Sequence, residues 1–155
     1  MNPRKQRFYI AAAALLAVIA LVYSILGSPV VLWHNRQLKT ALTGLTDTTI
    51  TLEQAVPFSW DEVYSFAPYT SVEEIQQTIG AESYNLTEST SEGMCQLVFM
   101  DEGAVAAAVC AFPSDLGYDV VLTGWEGGAA HLTYGENVSF HVVREEGIVR
   151  LEQAA

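Results

Sequence analysis

The first cysteine of the chain is Cys95, so no thiol lies near the N-terminus and a lipid-modified N-terminal anchor is excluded. Positive charge is sparse further on. Residues 40–155 hold only Arg144 and Arg150 against all eighteen acidic side chains, a formal charge of −16. Such a domain is repelled by nucleic acid and by anionic headgroups, so no nucleic acid is expected as a partner. Catalytic motifs are missing too. No serine stands in a Gly-x-Ser-x-Gly elbow, and Gly124 to Gly128 lacks the lysine and following helix of a phosphate-binding loop. Asp115 and Asp119 lack the EF-hand pattern, which leaves at most a weak calcium contact.

Charge is also absent from Phe8 to Leu26, where only Ser24 is polar apart from the tyrosine hydroxyls. As a helix these residues rise roughly 28 Å, close to the hydrocarbon thickness of a bilayer. No polar stripe interrupts them, so they read as a transmembrane helix over 8–26, with an extension through Trp33 left open. A cleaved secretory signal competes with a retained anchor. Ile25 and Leu26 crowd the approach to Gly27 and Ser28, where a cut would want small residues, which favours the anchor. Arg4, Lys5 and Arg7 make residues 1–7 a basic tail expected to stay cytoplasmic, with the rest of the chain exported. Tyr9 at one end, Tyr23 and Trp33 at the other, and the basic pair Arg36 and Lys39 suit the two membrane interfaces.

Ser28-Pro29 restarts a helix, and Val31, Leu38, Leu42 and Leu45 recur at helical spacing through 29–45. This segment reads as a juxtamembrane amphipathic helix against the headgroups, as a bent continuation of the anchor, or as a plain stalk. The exported domain then begins at 46. Thr48–Leu52 and Phe58–Phe66 read as strands, and Ser71 with Glu74 forms a capping box that opens a short helix closed by Gly80. A polar loop over 81–93 precedes a hairpin, Gln96–Met100 and Ala104–Phe112, around Asp101-Glu102-Gly103. Leu97 and Phe99 on one face and Val98 and Met100 on the other place it in the centre of a sheet. If Glu102-Gly103 is the two-residue turn, Cys95 faces Cys110 directly. Outside the cytoplasm the pair is then expected to oxidise, closing a loop worth roughly 3 kcal/mol, and a one-residue slip would make it diagonal. Strands follow over Tyr118–Leu122 and Ala130–Tyr134. A last hairpin, Val138–Arg144 and Ile148–Glu152, turns at Glu145-Glu146-Gly147 and echoes the earlier turn, which convergent turn chemistry explains more readily than an internal duplication. The order implies an α+β domain, one short helix packed on a twisted, mainly antiparallel sheet, preceded by a single N-terminal transmembrane helix.

Trp60-Asp61-Glu62-Val63-Tyr64-Ser65-Phe66-Ala67-Pro68-Tyr69-Thr70-Ser71, with Glu73-Glu74-Ile75 and Gly80 behind, resembles a group of small uncharacterised exported or membrane-anchored bacterial proteins. They share a Trp-Asp-x-Val-Tyr…Pro-Tyr-Thr-Ser-x-Glu-Glu-Ile pattern. Ser91-Glu92-Gly93-Met94-Cys95-Gln96-Leu97-Val98-Phe99 is similar to their next segment, and the likeness covers roughly residues 57–120. It implies an exported domain of a Gram-positive bacterium and no activity. The chain departs from some of the group in lacking a lipidated cysteine. The sequons Asn85-Leu86-Thr87 and Asn137-Val138-Ser139 carry no meaning in such a host.

Of three histidines, His34 reads as interfacial, while His131 and His141 fall on separate strands without the tight pairing a zinc site wants. No metal and no cofactor is therefore expected. Asp61-Glu62, Glu73-Glu74, Asp101-Glu102 and Glu145-Glu146 read as solvating charges, because neighbours on a strand point to opposite faces. Trp60, Tyr64, Tyr69 and Trp125 are the candidates for a protein interface, with core filling as their alternative role. The leading expectation is a non-enzymatic, membrane-anchored accessory or binding module that contacts another envelope protein or peptide. The alternatives are an inhibitor or immunity-type protein that places its acidic face in a basic cleft, and an envelope enzyme built on His131 or His141.

Overall fold

A computed structural model describes residues 3–154 of the chain. Met1 and Asn2 of the basic tail, and Ala155, lie outside the described residues. Helix α1, Pro3–Leu26, contains one span, Pro3–Ser24, long and apolar enough to cross a membrane, and none of it is buried against the rest of the protein. Gly27, at φ 74°, ends it. A side chain at Gly27 would collide with Asn85, whose Oδ1 accepts the Ser28 amide at 2.7 Å.

Helix α2, Pro29–Thr43, departs from expectation. Its apolar side chains Val31, Leu38 and Leu42 are buried in the protein, not turned to headgroups. It lies along β4 (Ala104–Ala111), an edge strand, and covers that strand's open backbone. Asn35 acts as a substitute strand: its Nδ2 donates to the Ala108 carbonyl at 2.7 Å and its Oδ1 accepts the Ala108 amide at 3.0 Å. The His34 Nδ1–H donates to the Ala106 carbonyl at 2.8 Å, and its ring stacks on Phe58. An exposed edge invites pairing with other chains, and a helix laid over it removes that hazard. The folded domain therefore starts near Pro29, not at 46, and α2 is neither a stalk nor a free amphipathic helix.

The remaining elements are β1 (Thr49–Thr51), α3 (Leu52–Ala55), β2 (Glu62–Phe66), α4 (Val72–Ile79), β3 (Cys95–Asp101), α5 (Pro113–Leu116), β5 (Tyr118–Val121), β6 (Ala129–Thr133), β7 (Ser139–Glu145) and β8 (Ile148–Gln153). The fold is α+β, as the element order implied, with two open four-stranded sheets where one was expected. One runs β4-β3-β2-β6 and is wholly antiparallel. The other runs β1-β7-β8-β5, with β5 parallel to β8. Leu97, Phe99, Val63 and Leu132 of the first face Phe140, Leu151, Val120 and Tyr118 of the second across the main core, joined by Leu38 and Leu42. The opposite face of the first sheet packs Val98, Met100 and Phe66 against Ile75 and Ile79 of α4. Both faces of β3 are thus buried, which accounts for its unbroken apolar run.

The local signals are realised where they were read. Ser71 Oγ accepts the Glu74 amide at 3.3 Å, Glu74 Oε2 accepts the Ser71 amide at 3.0 Å, and Gly80 closes α4 at φ 69°. Glu102-Gly103 and Glu146-Gly147 all have positive φ, as the two-residue hairpin turns require.

The disulfide is not formed. Asp101 pairs with Ala104 and Met100 with Val105, as the turn dictates, but Phe99 pairs with Ala107. The extra residue, Ala106, is a β-bulge that shifts the register by one, so Cys95 faces Ala111 and Cys110 faces Gln96. Because successive side chains on a strand alternate, the slip sends the two thiols to opposite faces. Cys95 joins the main core and both cysteines are free. Burial pushes the Cys95 thiol up to about 12 and raises that of Cys110 as well. Iodoacetamide should therefore label Cys110 slowly in the native protein and Cys95 only on unfolding. Mass spectrometry of protein grown under oxidising conditions should find both thiols free; a linked Cys95–Cys110 peptide would contradict the register.

Candidate functional site

The strand directions define two ends of the domain. The β3–β4 turn at Gly103 and Ala104 lies beside Tyr23, Ser28 and Val30, where α1 joins, and marks the anchor end. β2 begins at that end, since Asp61 Oδ2 accepts the Glu102 amide at 2.9 Å, and finishes at the far end, where the Ala67 amide donates to the Gly128 carbonyl at 2.8 Å. α4 starts at the far end, just beyond Ser71, and runs back to the anchor end at Gly80.

The four aromatic candidates separate on this frame. Trp60 is 5% exposed and packs edge-to-face on Phe99 and Tyr134, so it belongs to the core and cannot meet a partner. Tyr64 is half-buried on the first sheet and stacks on His131 and Phe66. Burial and the neighbouring Glu62 carboxylate raise its hydroxyl above the ordinary tyrosine value. Tyr69 and Trp125 are 64% and 49% exposed. They stand on the two far-end loops that the Ala67–Gly128 bond ties together. Tyr69 holds a left-handed backbone, φ 67°, its amide donating to the Ser89 carbonyl at 2.9 Å. That conformation is uncommon for a bulky residue and throws the ring outward. Trp125 Nε1 donates to the Leu122 carbonyl at 3.2 Å, which steadies the indole without burying it. Beside these loops a cleft of about 440 Å³ opens between α4 and Gly127-Gly128, lined also by Thr70, Glu74 and Gln77.

The far end thus offers two exposed aromatic rings, on loops whose next residues, Thr70 and Gly127-Gly128, line a shallow cleft with Glu74 and Gln77. Glu62 and His131 form a surface pair at 3.3 Å, each with roughly two-fifths of its side chain exposed, and His141 lies exposed on β7 opposite Thr49. Among the described residues no three His, Cys, Asp or Glu side chains gather as a metal site would need. Of the paired carboxylates, Asp61 secures the β3–β4 turn, Glu74 caps α4 and Asp101 accepts the Ser59 hydroxyl, so these three do more than solvate the surface.

The membrane-interface candidates Tyr9, Tyr23, Trp33, Arg36 and Lys39 are all exposed. Lys39 is tied to the Asp115 carbonyl at 3.0 Å, Arg144 to the carbonyls of Leu45 and Asp47, and Arg150 to Asp119. Sequence reading missed Tyr84, which meets Tyr23 edge-to-face at the anchor end. It also missed Glu53, whose Oε1 accepts the amides of Gly135 at 3.0 Å and Asn137 at 3.1 Å and pins the β6–β7 loop to α3. No local pattern marks either, because both partners are distant in sequence.

Partial burial of Glu53 opposes ionisation, but its own backbone amide, those of Asn137 and Gly135, and the Thr51 hydroxyl outweigh it and hold the carboxyl below its usual value. A depressed folded-state pKa adds stability above the unfolded value, and that contribution is lost as pH falls through the folded one. Glu53→Gln should therefore destabilise the domain by about 1 kcal/mol at pH 7, the site being solvent-screened, and by less below pH ~4. Urea unfolding at the two pH values measures the difference; an equal loss at both would refute the charge assignment.

Compared with protein-family models, with curated proteins and with solved structures, the chain matches none. The fold and the far-end surface define a class in structural terms: a small α+β two-sheet domain behind an N-terminal apolar helix that could be a membrane anchor or a signal sequence.

Proposed function

We propose that this chain is a single-pass membrane protein whose acidic domain faces away from the cytoplasm and docks another envelope protein or peptide. The basic residues before the span support that orientation, since such residues are retained on the cytoplasmic side. The observation that carries the reading is the placement of Tyr69 and Trp125 on adjoining loops, at the end of the domain opposite the anchor, beside the cleft of Thr70, Glu74 and Gln77. Exposed aromatics around a cleft are the usual energetic centre of a protein interface. From residue 29 onward four basic side chains stand against eighteen acidic ones, so the partner's contacting surface is basic.

The test places a photo-crosslinking residue at Tyr69 or Trp125 in the full-length protein in its native membrane, with exposed His141 as the control position. A discrete adduct at the first two and none at His141 is expected. No adduct at either loop, or the same adduct at His141, would overturn the docking surface. Protection of the domain from protease added outside intact cells would overturn the orientation.

A further inference from the structure

At the anchor end Val30, Trp33 and Tyr84 are exposed, Trp33 by 61% and Tyr84 by 70%. Val30 and Tyr84 lie at the junction, and Trp33 follows Val30 by about one turn of α2, beside Arg36 and Pro57. Val30 and Tyr84, with Tyr23 of α1, Ala104 and Val105, line a groove of about 750 Å³ in which Glu82 is the lone acid. The outward stripe of α2 runs from Val30 through Trp33 to Arg36 at helical spacing, apolar and aromatic first, cationic next. Among the described residues Arg36 is the one cation beyond α1 for which no side-chain partner is found, Lys39, Arg144 and Arg150 being tied down.

We infer that this surface, carrying Val30, Trp33, Arg36 and Tyr84, is seated in the interfacial layer of the bilayer that holds α1. The domain then rests on its membrane and does not stand off it. Four arguments converge. The surface is continuous with α1, which touches the domain through Tyr23 and Tyr84 but leaves its apolar span unburied, and a retained anchor is covered there by lipid. Trp33 lies seven residues beyond Leu26, roughly 10 Å if the whole path rose at the helical rate. The headgroup layer is itself about 5–7 Å deep, and the break at Gly27 lets α2 leave the axis of α1 and bring Trp33 lower. Tryptophan and tyrosine favour this layer because one part of each ring system is apolar and another is polar. Finally, the guanidinium of Arg36 follows Trp33 by one turn on the same side of α2, and its long side chain can reach lipid phosphates when α2 lies along the surface. The occupant is membrane phospholipid. The far end, with Tyr69 and Trp125, is thereby held away from the bilayer and open to a partner.

The inference rests on reading α1 as a retained anchor, but its test is independent of any partner. The full chain is reconstituted in nanodiscs of phosphatidylcholine and phosphatidylglycerol whose acyl chains carry bromine near the ester end. Bromine quenches only nearby indoles, so emission should fall by up to about one third, the share of one tryptophan in three. Trp33→Phe should abolish that fall and Trp125→Phe should retain it; both positions are exposed, so neither change threatens the fold. An absence of bromine quenching in protein that co-elutes with the disc would overturn the seating, as would quenching that survives Trp33→Phe. Failure to co-elute would overturn the anchor and this inference together. Crosslinking at Tyr69 reports the partner surface in either case.

Discussion

A chain shortened to begin at Thr46 should fail to fold, whereas one beginning at Gly27 should unfold in a single cooperative transition. The first loses Val31, Leu38 and Leu42, each at most 1% exposed. At about 1.5–3 kcal/mol per buried aliphatic side chain they contribute roughly 5–9 kcal/mol, against a typical total stability of about 5–15 kcal/mol. Removing α2 also strips the amide and carbonyl of Ala108 of the Asn35 side chain and reopens the edge of β4. The shorter chain should therefore aggregate as well as unfold. Circular dichroism and urea titration of the two chains measure the effect. A folded, monomeric product starting at Thr46 would show that α2 is dispensable and that the domain boundary belongs where the sequence alone suggested.

Trp60→Ala should cost about 3–5 kcal/mol, while Trp125→Ala should change stability by no more than about 0.5 kcal/mol. Trp60 fills space between Phe99 and Tyr134, with centroid separations of 5.7 and 5.1 Å, in rings set nearly perpendicular. Truncation leaves a cavity that the paired strands β2 and β3 cannot close without losing register. Trp125 keeps about half its surface in water and makes one hydrogen bond, to Leu122. Urea midpoints of the two variants give the comparison directly. Equal, small losses would mean that the indole of Trp60 is not a core element.

These cases show where sequence reading succeeded and where it stopped. The capping box at Ser71 and Glu74 is a contract between residues three apart, and it is formed as read. The two Glu-Gly turns are likewise local, since only glycine and a few polar residues accept their backbone angles cheaply. The Cys95–Cys110 pairing failed for a different reason. From Ala104 to Val109 the strand reads Ala-Val-Ala-Ala-Ala-Val, with no alternation to specify which side chains face the core. Register is weakly determined in such a stretch. The bulge at Ala106 is selected by what surrounds it, including the His34 side chain 72 residues away in sequence.

The candidate surface divides in the same way. Tyr69, Trp60 and Trp125 are equally aromatic in the sequence, and aromatic character does not report burial. The amphipathic pattern of α2 was legible, but an apolar stripe of Val31, Leu38 and Leu42 fits lipid as well as it fits a protein core. Only the neighbouring strand β4, more than sixty residues on, settles which.

By itself the sequence determined an apolar N-terminal helix, an acidic α+β domain behind it, one capped helix and two tight hairpins. Each of these depends on interactions spanning a few residues or on bulk composition. The tertiary structure decided that α2 belongs to the domain, that the strands divide into two facing sheets, that the thiols point apart, and which aromatics remain exposed. Those outcomes depend on pairings such as Tyr118 with Val149 and Asn35 with Ala108. In such contacts the free energy of burial is shared between segments whose separate sequences carry no record of each other.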